Sequence, residues 1–147
     1  MDPHGLDPDR LIETLGLQRH PEGGWYVQTW QAESADDRAA GTAIYFLLRS
    51  GEVSHWHRID SAEIWHHYAG AALELATWVE GGQVRTHRLG DDLLGGERPQ
   101  LIVQPGEWQS ARTLGAWTLV GCTVSPGFEF AHFELAEAGW APPGASS

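Results

Sequence analysis

The chain reads as a mostly β protein, an antiparallel double-stranded β-helix (jelly roll) preceded by one short N-terminal helix. Three observations carry that reading. About nine short runs rich in aromatic and β-branched residues follow one another between residues 25 and 136. Turn-forming residues separate the runs, as in all-β sandwiches and barrels. One segment alone, near the N-terminus, has the spacing of an amphipathic helix.

Taken in order, the elements are as follows. Asp7 can cap a helix, Pro8 suits its first position and Gly16 can end it, which predicts a helix at about 8–16. Leu11, Ile12 and Leu15 form its apolar stripe. Residues 20–24 (HPEGG) read as a turn. Strands are expected at 25–31, 42–49, 52–59, 63–69, 72–80, 83–89, 100–104, 117–125 and 128–136. Gly81-Gly82 marks a tight hairpin. Asp36-Asp37, Asp91-Asp92 and Gly95-Gly96 mark loops, and Pro99 and Pro105 sit at strand margins, where a missing N–H is tolerated. The expected organisation is a single domain over residues 1–138 with its barrel at about 25–135. Residues 139–147 are expected to be a flexible tail in which Trp140 could still dock.

Composition narrows the function. With 147 residues and 41% hydrophobic content, one domain with a real core is expected. The formal charge of −11 repels phosphate backbones and anionic lipid, which argues against nucleic acid and membrane partners. The single cysteine, Cys122, has no internal disulfide partner and reads as a small buried hydrophobe. No apolar run is long enough to span a bilayer and the N-terminus is acidic, so a cytoplasmic location is expected. Eight tryptophans stand out, either as filling for a small core or as pocket walls. A Gly-rich phosphate loop, a G-x-S-x-G elbow, a CxxC pair and an H-E-x-x-H helix are all missing.

The chemistry concentrates between Gly51 and Gly70. In a regular strand, alternate side chains share a face, so His55 and His57 are expected to point together and Trp56 away from them. On the next strand Glu63, Trp65 and His67 share one face, and Ile64, His66 and Tyr68 take the other. Imidazoles with a carboxylate match the ligand set of divalent transition metals. They equally suit a polar barrel mouth in which the histidines hydrogen-bond to one another and to Glu63. Proton transfer is a further use: His57, Glu63 and His67 have the chemistry of bases, and Tyr68 or Tyr26 that of an acid. Glu22, Arg38, Arg49 and Arg58 are charged residues near strand ends.

Four stretches together resemble the cupin superfamily, and within it a small single-domain branch of unknown function: HPEGGWY (20–26), HRIDSAEIWHHYAG (57–70), RPQLIVQPGEW (98–108) and SPGFEFAHFELA (125–136). The resemblance covers roughly 11–136. It implies a jelly-roll barrel open at one end, a small-molecule pocket inside it and a homodimer. It also implies a metal site at His55, His57 and Glu63, with Gln109 in the fourth ligand position, holding a divalent ion such as Fe, Mn, Ni or Zn, and no organic cofactor. Trp65, Trp108, Gln109 and Tyr26 are the residues it suggests for substrate binding. Two departures stand out. Five residues separate His57 from Glu63, and the second motif carries Gln109 where a histidine is usual, with Pro105 and Gly106 adjacent. The expected function is a cupin-barrel enzyme, an oxygenase, lyase or isomerase acting on a small polar metabolite with a divalent metal. The alternatives are a metal-free epimerase or isomerase of sugar or sugar-nucleotide type, and a non-catalytic small-molecule binding protein.

Overall fold

A computed structural model describes residues 5–145. Asp7 accepts a hydrogen bond from the Arg10 N–H at 2.9 Å, and helix α1 runs Pro8–Leu15 from that cap to Gly16, whose φ of 69° ends it. Leu11 is buried. Eleven strands follow: β1 Gln18–Arg19, β2 Trp25–Gln31, β3 Thr42–Arg49, β4 Val53–Ile59, β5 Ala62–Gly70, β6 Leu73–Trp78, β7 Arg85–Leu89, β8 Gln100–Val103, β9 Trp108–Thr113, β10 Trp117–Ser125 and β11 Phe133–Leu135. They form two antiparallel sheets, ordered β1-β2-β3-β10-β5-β8 and β11-β4-β9-β6-β7. This is the jelly roll read from the sequence, with one helix in front of it.

The expected strands at 25–31, 42–49 and 117–125 coincide with β2, β3 and β10. Strand β9 has no counterpart among the expected runs. Gln109 and Thr113 occupy buried positions in it, satisfied by hydrogen bonds, and these polar residues hide the alternation. The expected strand at 128–136 is instead a short 3-10 turn, Phe130–His132, followed by β11.

The core lies between the sheets. Phe46, Leu48, Trp65 and Val120 from the six-stranded sheet meet Leu73, Leu75, Leu89 and Ala111 from the other. Helix α1 covers the outside of the six-stranded sheet, setting Leu11 against Leu47 and Leu119. Each buried leucine of this kind contributes about 1.5–3 kcal/mol of transfer free energy. The Trp140 ring lies 4.9 Å from that of Trp108, 6.0 Å from Trp78 and 6.4 Å from Trp56, against the outside of the five-stranded sheet. Residues 146–147 of the expected flexible tail, and residues 1–4 of the expected domain, lie outside the described residues. Among the described residues no helix is long and apolar enough to cross a membrane.

Leu75 is 1% exposed and Leu94 fully exposed. Leu75→Ala is expected to lower the unfolding free energy by about 2–5 kcal/mol and Leu94→Ala to change it by less than about 0.5 kcal/mol. Urea unfolding measures both, and equal effects would contradict the placement of the core.

Candidate active site

The site begins at the HPEGG turn. Gly23 has φ 112° and Gly24 φ 78°, conformations open mainly to glycine. A Cβ on Gly23 would lie 2.0 Å from the Val53 carbonyl oxygen, and one on Gly24 2.8 Å from the Leu47 carbonyl oxygen. The turn is therefore pressed directly onto β3 and β4, which only a residue without a side chain allows. It closes on itself through Gly23 N–H to the His20 carbonyl and His20 N–H to the Gly24 carbonyl, both at 3.0 Å.

Docking the turn reshapes β4. The His55 N–H donates to the Glu22 carbonyl at 2.8 Å, and the ladder between β4 and β9 shifts register between Ser54 and His57. Such a bulge breaks simple alternation. Ser54 and His57 consequently both face Glu22, while the His55 side chain leaves the interior and its Nε2 donates to the Glu137 carbonyl at 2.8 Å. The expectation that His55 and His57 share a face is corrected here. The local twist of the strand, invisible in a two-residue period, separates them.

Between the sheets lies a cavity of about 230 Å³. Tyr26, Phe46, Trp65, Phe128 and Phe130 contribute aromatic wall, and His20, Glu22, His57, Glu63 and Cys122 contribute chemistry. The hydrogen bonds define the protonation of the histidines. His57 Nδ1 donates to the His55 carbonyl at 2.8 Å, which leaves its Nε2 as the lone-pair nitrogen. His20 Nδ1 accepts the Glu22 N–H at 3.1 Å, and its single lone pair is used there. Both nitrogens face Glu22 Oε1, at 3.4 Å from His20 Nδ1 and 3.5 Å from His57 Nε2. Of the two, His57 Nε2 alone has a free lone pair, and a proton on Glu22 Oε1 meets that acceptor. Ser54 Oγ donates to the other oxygen, Oε2.

Glu63 stands in a different setting. The Trp65 indole N–H can only donate and gives its proton to Gln109 Oε1 at 2.8 Å, so the Gln109 amide must turn its NH2 to Glu63 Oε1, also at 2.8 Å. Cys122 bonds to the same carboxyl. Glu63 thus faces the donor amide of Gln109, and Glu22 Oε1 faces the acceptor Nε2 of His57. Burial raises both acids, Glu22 to about 8 and Glu63 to about 7, with the Ser54 bond opposing the rise at Glu22 and the charge of His57 opposing it at Glu63. Burial lowers His57, and burial with the neighbouring His57 lowers His20 to about 3. Both carboxyls therefore ionise far above the ordinary carboxylate range, close to neutral pH.

Of the residues singled out in the sequence, the structure brings His57, Glu63, Trp65 and Tyr26 to this cavity, with Gln109 fully buried behind Glu63. The remaining candidates lie elsewhere. His67 Nε2 donates to the Ala71 carbonyl at 3.1 Å, and Tyr68, about half exposed, stacks on His66 outside the barrel. Trp108 packs outside the sheet with Arg58 4.6 Å over its ring. His20, Glu22 and Ser54 went unassigned in the sequence. Their one signal was the Glu-Gly-Gly of the turn, which has no periodicity to interpret.

The metal site implied by the sequence does not fit this arrangement. His55 faces away from the cavity. Gln109 offers Glu63 a donor NH2 in place of a ligand oxygen, because Trp65 occupies that oxygen. His57 and Glu63 alone remain of the expected four. Among the described residues no group of three His, Cys, Asp or Glu side chains is set to hold a metal ion.

Two antiparallel sheets enclosing a cavity of carboxyls, imidazoles and aromatic rings define a jelly-roll barrel with a polar interior. The chain belongs to the cupin superfamily (DUF985), whose pattern matches residues 9–136. It is similar to a protein from Shewanella oneidensis solved by X-ray crystallography, at 42% identity over 89% of this chain and 85% of that one, with a TM-score of 0.86. A hypothetical protein from Leishmania major is 30% identical over 89% and 88% of the two chains, with a TM-score of 0.83. Oxalate decarboxylase from Bacillus subtilis shares the fold at 14% identity and a TM-score of 0.63, over 80% of this chain but 29% of its own. That enzyme has Mn(II) centres. No curated protein matches the chain.

The raised carboxyls set a pH dependence of stability. Glu22 holds its proton to about pH 8 in the fold against an ordinary 4.5, and Glu63 to about 7. The native state thus binds more protons than the unfolded chain across that window, and stability falls as pH rises through it. The lowered histidines act in the opposite sense below their ordinary 6.5. The decline should therefore emerge between about pH 6.5 and 8, and Glu22→Gln should flatten it. Denaturant midpoints across this range measure it, and an undiminished decline in the variant would contradict the assignment.

Proposed function

We propose that the cavity is the active site of an enzyme that moves a proton on a small polar metabolite, in the manner of an isomerase or epimerase. One observation carries this reading: two buried carboxyls of opposite hydrogen-bonding character flank the unprotonated Nε2 of His57 in the cavity between the sheets. Glu22, facing the acceptor Nε2 of His57, holds a proton to give. Glu63, facing donors, is the carboxyl that ionises first and can take one. An acid and a base poised near working pH are what general acid–base catalysis requires. Ser54 and Gln109 hold the two carboxyls in place, and aromatic rings form part of the wall beside them. No step is assigned to a metal, because the donor set in the cavity does not suit one.

The geometry supports this over the metal-dependent reading because His55 and Gln109 are committed elsewhere. Incubation in deuterium oxide with a panel of small keto sugars and keto amines, read by NMR and mass spectrometry, tests it. Deuterium is expected at a carbon next to a carbonyl, with the rate lowered roughly 100-fold or more in Glu63→Gln and in Glu22→Gln. Ligand binding without any exchange would favour a binding protein. Exchange that is unaffected by either variant would remove the proposal.

A further inference from the structure

None of the chain's side-chain cations enters the cavity. All nine are arginines, and none lines the cavity. Those nearest the barrel's working end are committed outside it: Arg38 to Asp60, Arg58 to Glu134, and Arg49 to Glu52. A phosphate or carboxylate entering the cavity would meet two carboxyl groups with no arginine to balance them, which is a costly burial. Aromatic faces supply the opposite preference. Tyr26 lies 4.5 Å from His20 edge-on, Phe46 lies 6.0 Å from Trp65, and both Tyr26 and Phe46 line the cavity beside the carboxyls. Ring faces and carboxyl oxygens are the two groups that recognise organic cations. A volume of about 230 Å³ is far more than a bare ion fills and suits a molecule of several carbon atoms.

We propose that the ligand of this cavity is a small organic cation, an amine or amidine, whose charge sits against Glu63, with the neutral carboxyl of Glu22 beside it, and whose carbon skeleton rests on Tyr26, Phe128 and Phe130. Phosphorylated and carboxylate-bearing metabolites are excluded from the same space. This deepens the preceding proposal by naming a substrate class and rests on it only in taking this cavity as the ligand site.

Three probes of one shape and different charge test it at neutral pH: benzylamine, benzyl alcohol and benzoate, titrated by calorimetry and by NMR of the tryptophan indole protons. Benzylamine is expected to bind, to shift the Trp65 indole resonance and to bind at least roughly tenfold more tightly than benzoate. Glu63→Gln is expected to weaken it by roughly tenfold or more, with circular dichroism reporting that the variant folds. If a variant does not fold, the comparison of the three probes on the wild-type protein decides. Benzoate binding as tightly as benzylamine, benzylamine failing to bind at millimolar concentration, or amine binding unchanged in the folded Glu63→Gln variant would each overturn the proposal. Deuterium exchange is read without reference to ligand charge, so failure here leaves the proton-transfer reading standing, and the reverse also holds.

Discussion

Everything distinctive about this barrel depends on one docked turn. Residues 20–24 are pressed onto β3 and β4 so closely that a methyl group on Gly23 would overlap the Val53 carbonyl. That contact does three things at once. It carries Glu22 into the interior, it consumes the His55 N–H, and it accompanies the register shift that turns His57 inward and His55 outward. The chemistry of the cavity follows from a backbone arrangement, and the side chains complete it.

The energetic consequence is a pair of acids held away from their ordinary ionisation. Burying a carboxyl without a permanent cation favours its neutral form. Here the surroundings then divide the two acids, setting the acceptor Nε2 of His57 against Glu22 Oε1 and the donor amide of Gln109 against Glu63. The surrounding barrel, with Phe46, Trp65, Val120 and Leu75 packed between sheets, supplies the rigidity that holds such a site in place. Membership of the cupin superfamily explains the scaffold, and the particular donor set explains why this member departs from a four-ligand metal site.

Much of the scaffold was legible in the sequence because strands with one buried face advertise themselves. β2, β3 and β10 alternate or run apolar between turn residues, and α1 is bracketed by its cap and its terminal glycine. β9 was not legible, because Gln109 and Thr113 are buried polar residues, Gln109 meeting Glu63 far away in the chain and Thr113 meeting Thr118 on the next strand. The site was half legible. Glu63, Trp65 and His57 sit where alternation and family resemblance suggest. His55 defeats alternation because a bulge separates it from His57, a distortion set by a turn more than thirty residues upstream. Glu22 was seen only as a charged residue near a strand end, since nothing in HPEGG says which strands the turn will meet. Trp108 shows the same limit in reverse. Its place beside Gln109 suggested a pocket residue, and the pleat sends it to the opposite face, under Arg58.

The central claim is that Glu22 is uncharged near neutral pH while buried against the two histidines. Carbon-13 NMR of the side-chain carboxyls, with Glu22→Gln and Glu63→Gln used for assignment, follows each ionisation directly. The account predicts two carboxyl resonances that titrate far above the rest, Glu22 near pH 8 and Glu63 near pH 7. Both resonances titrating with the surface glutamates, near the ordinary 4.5, would contradict it.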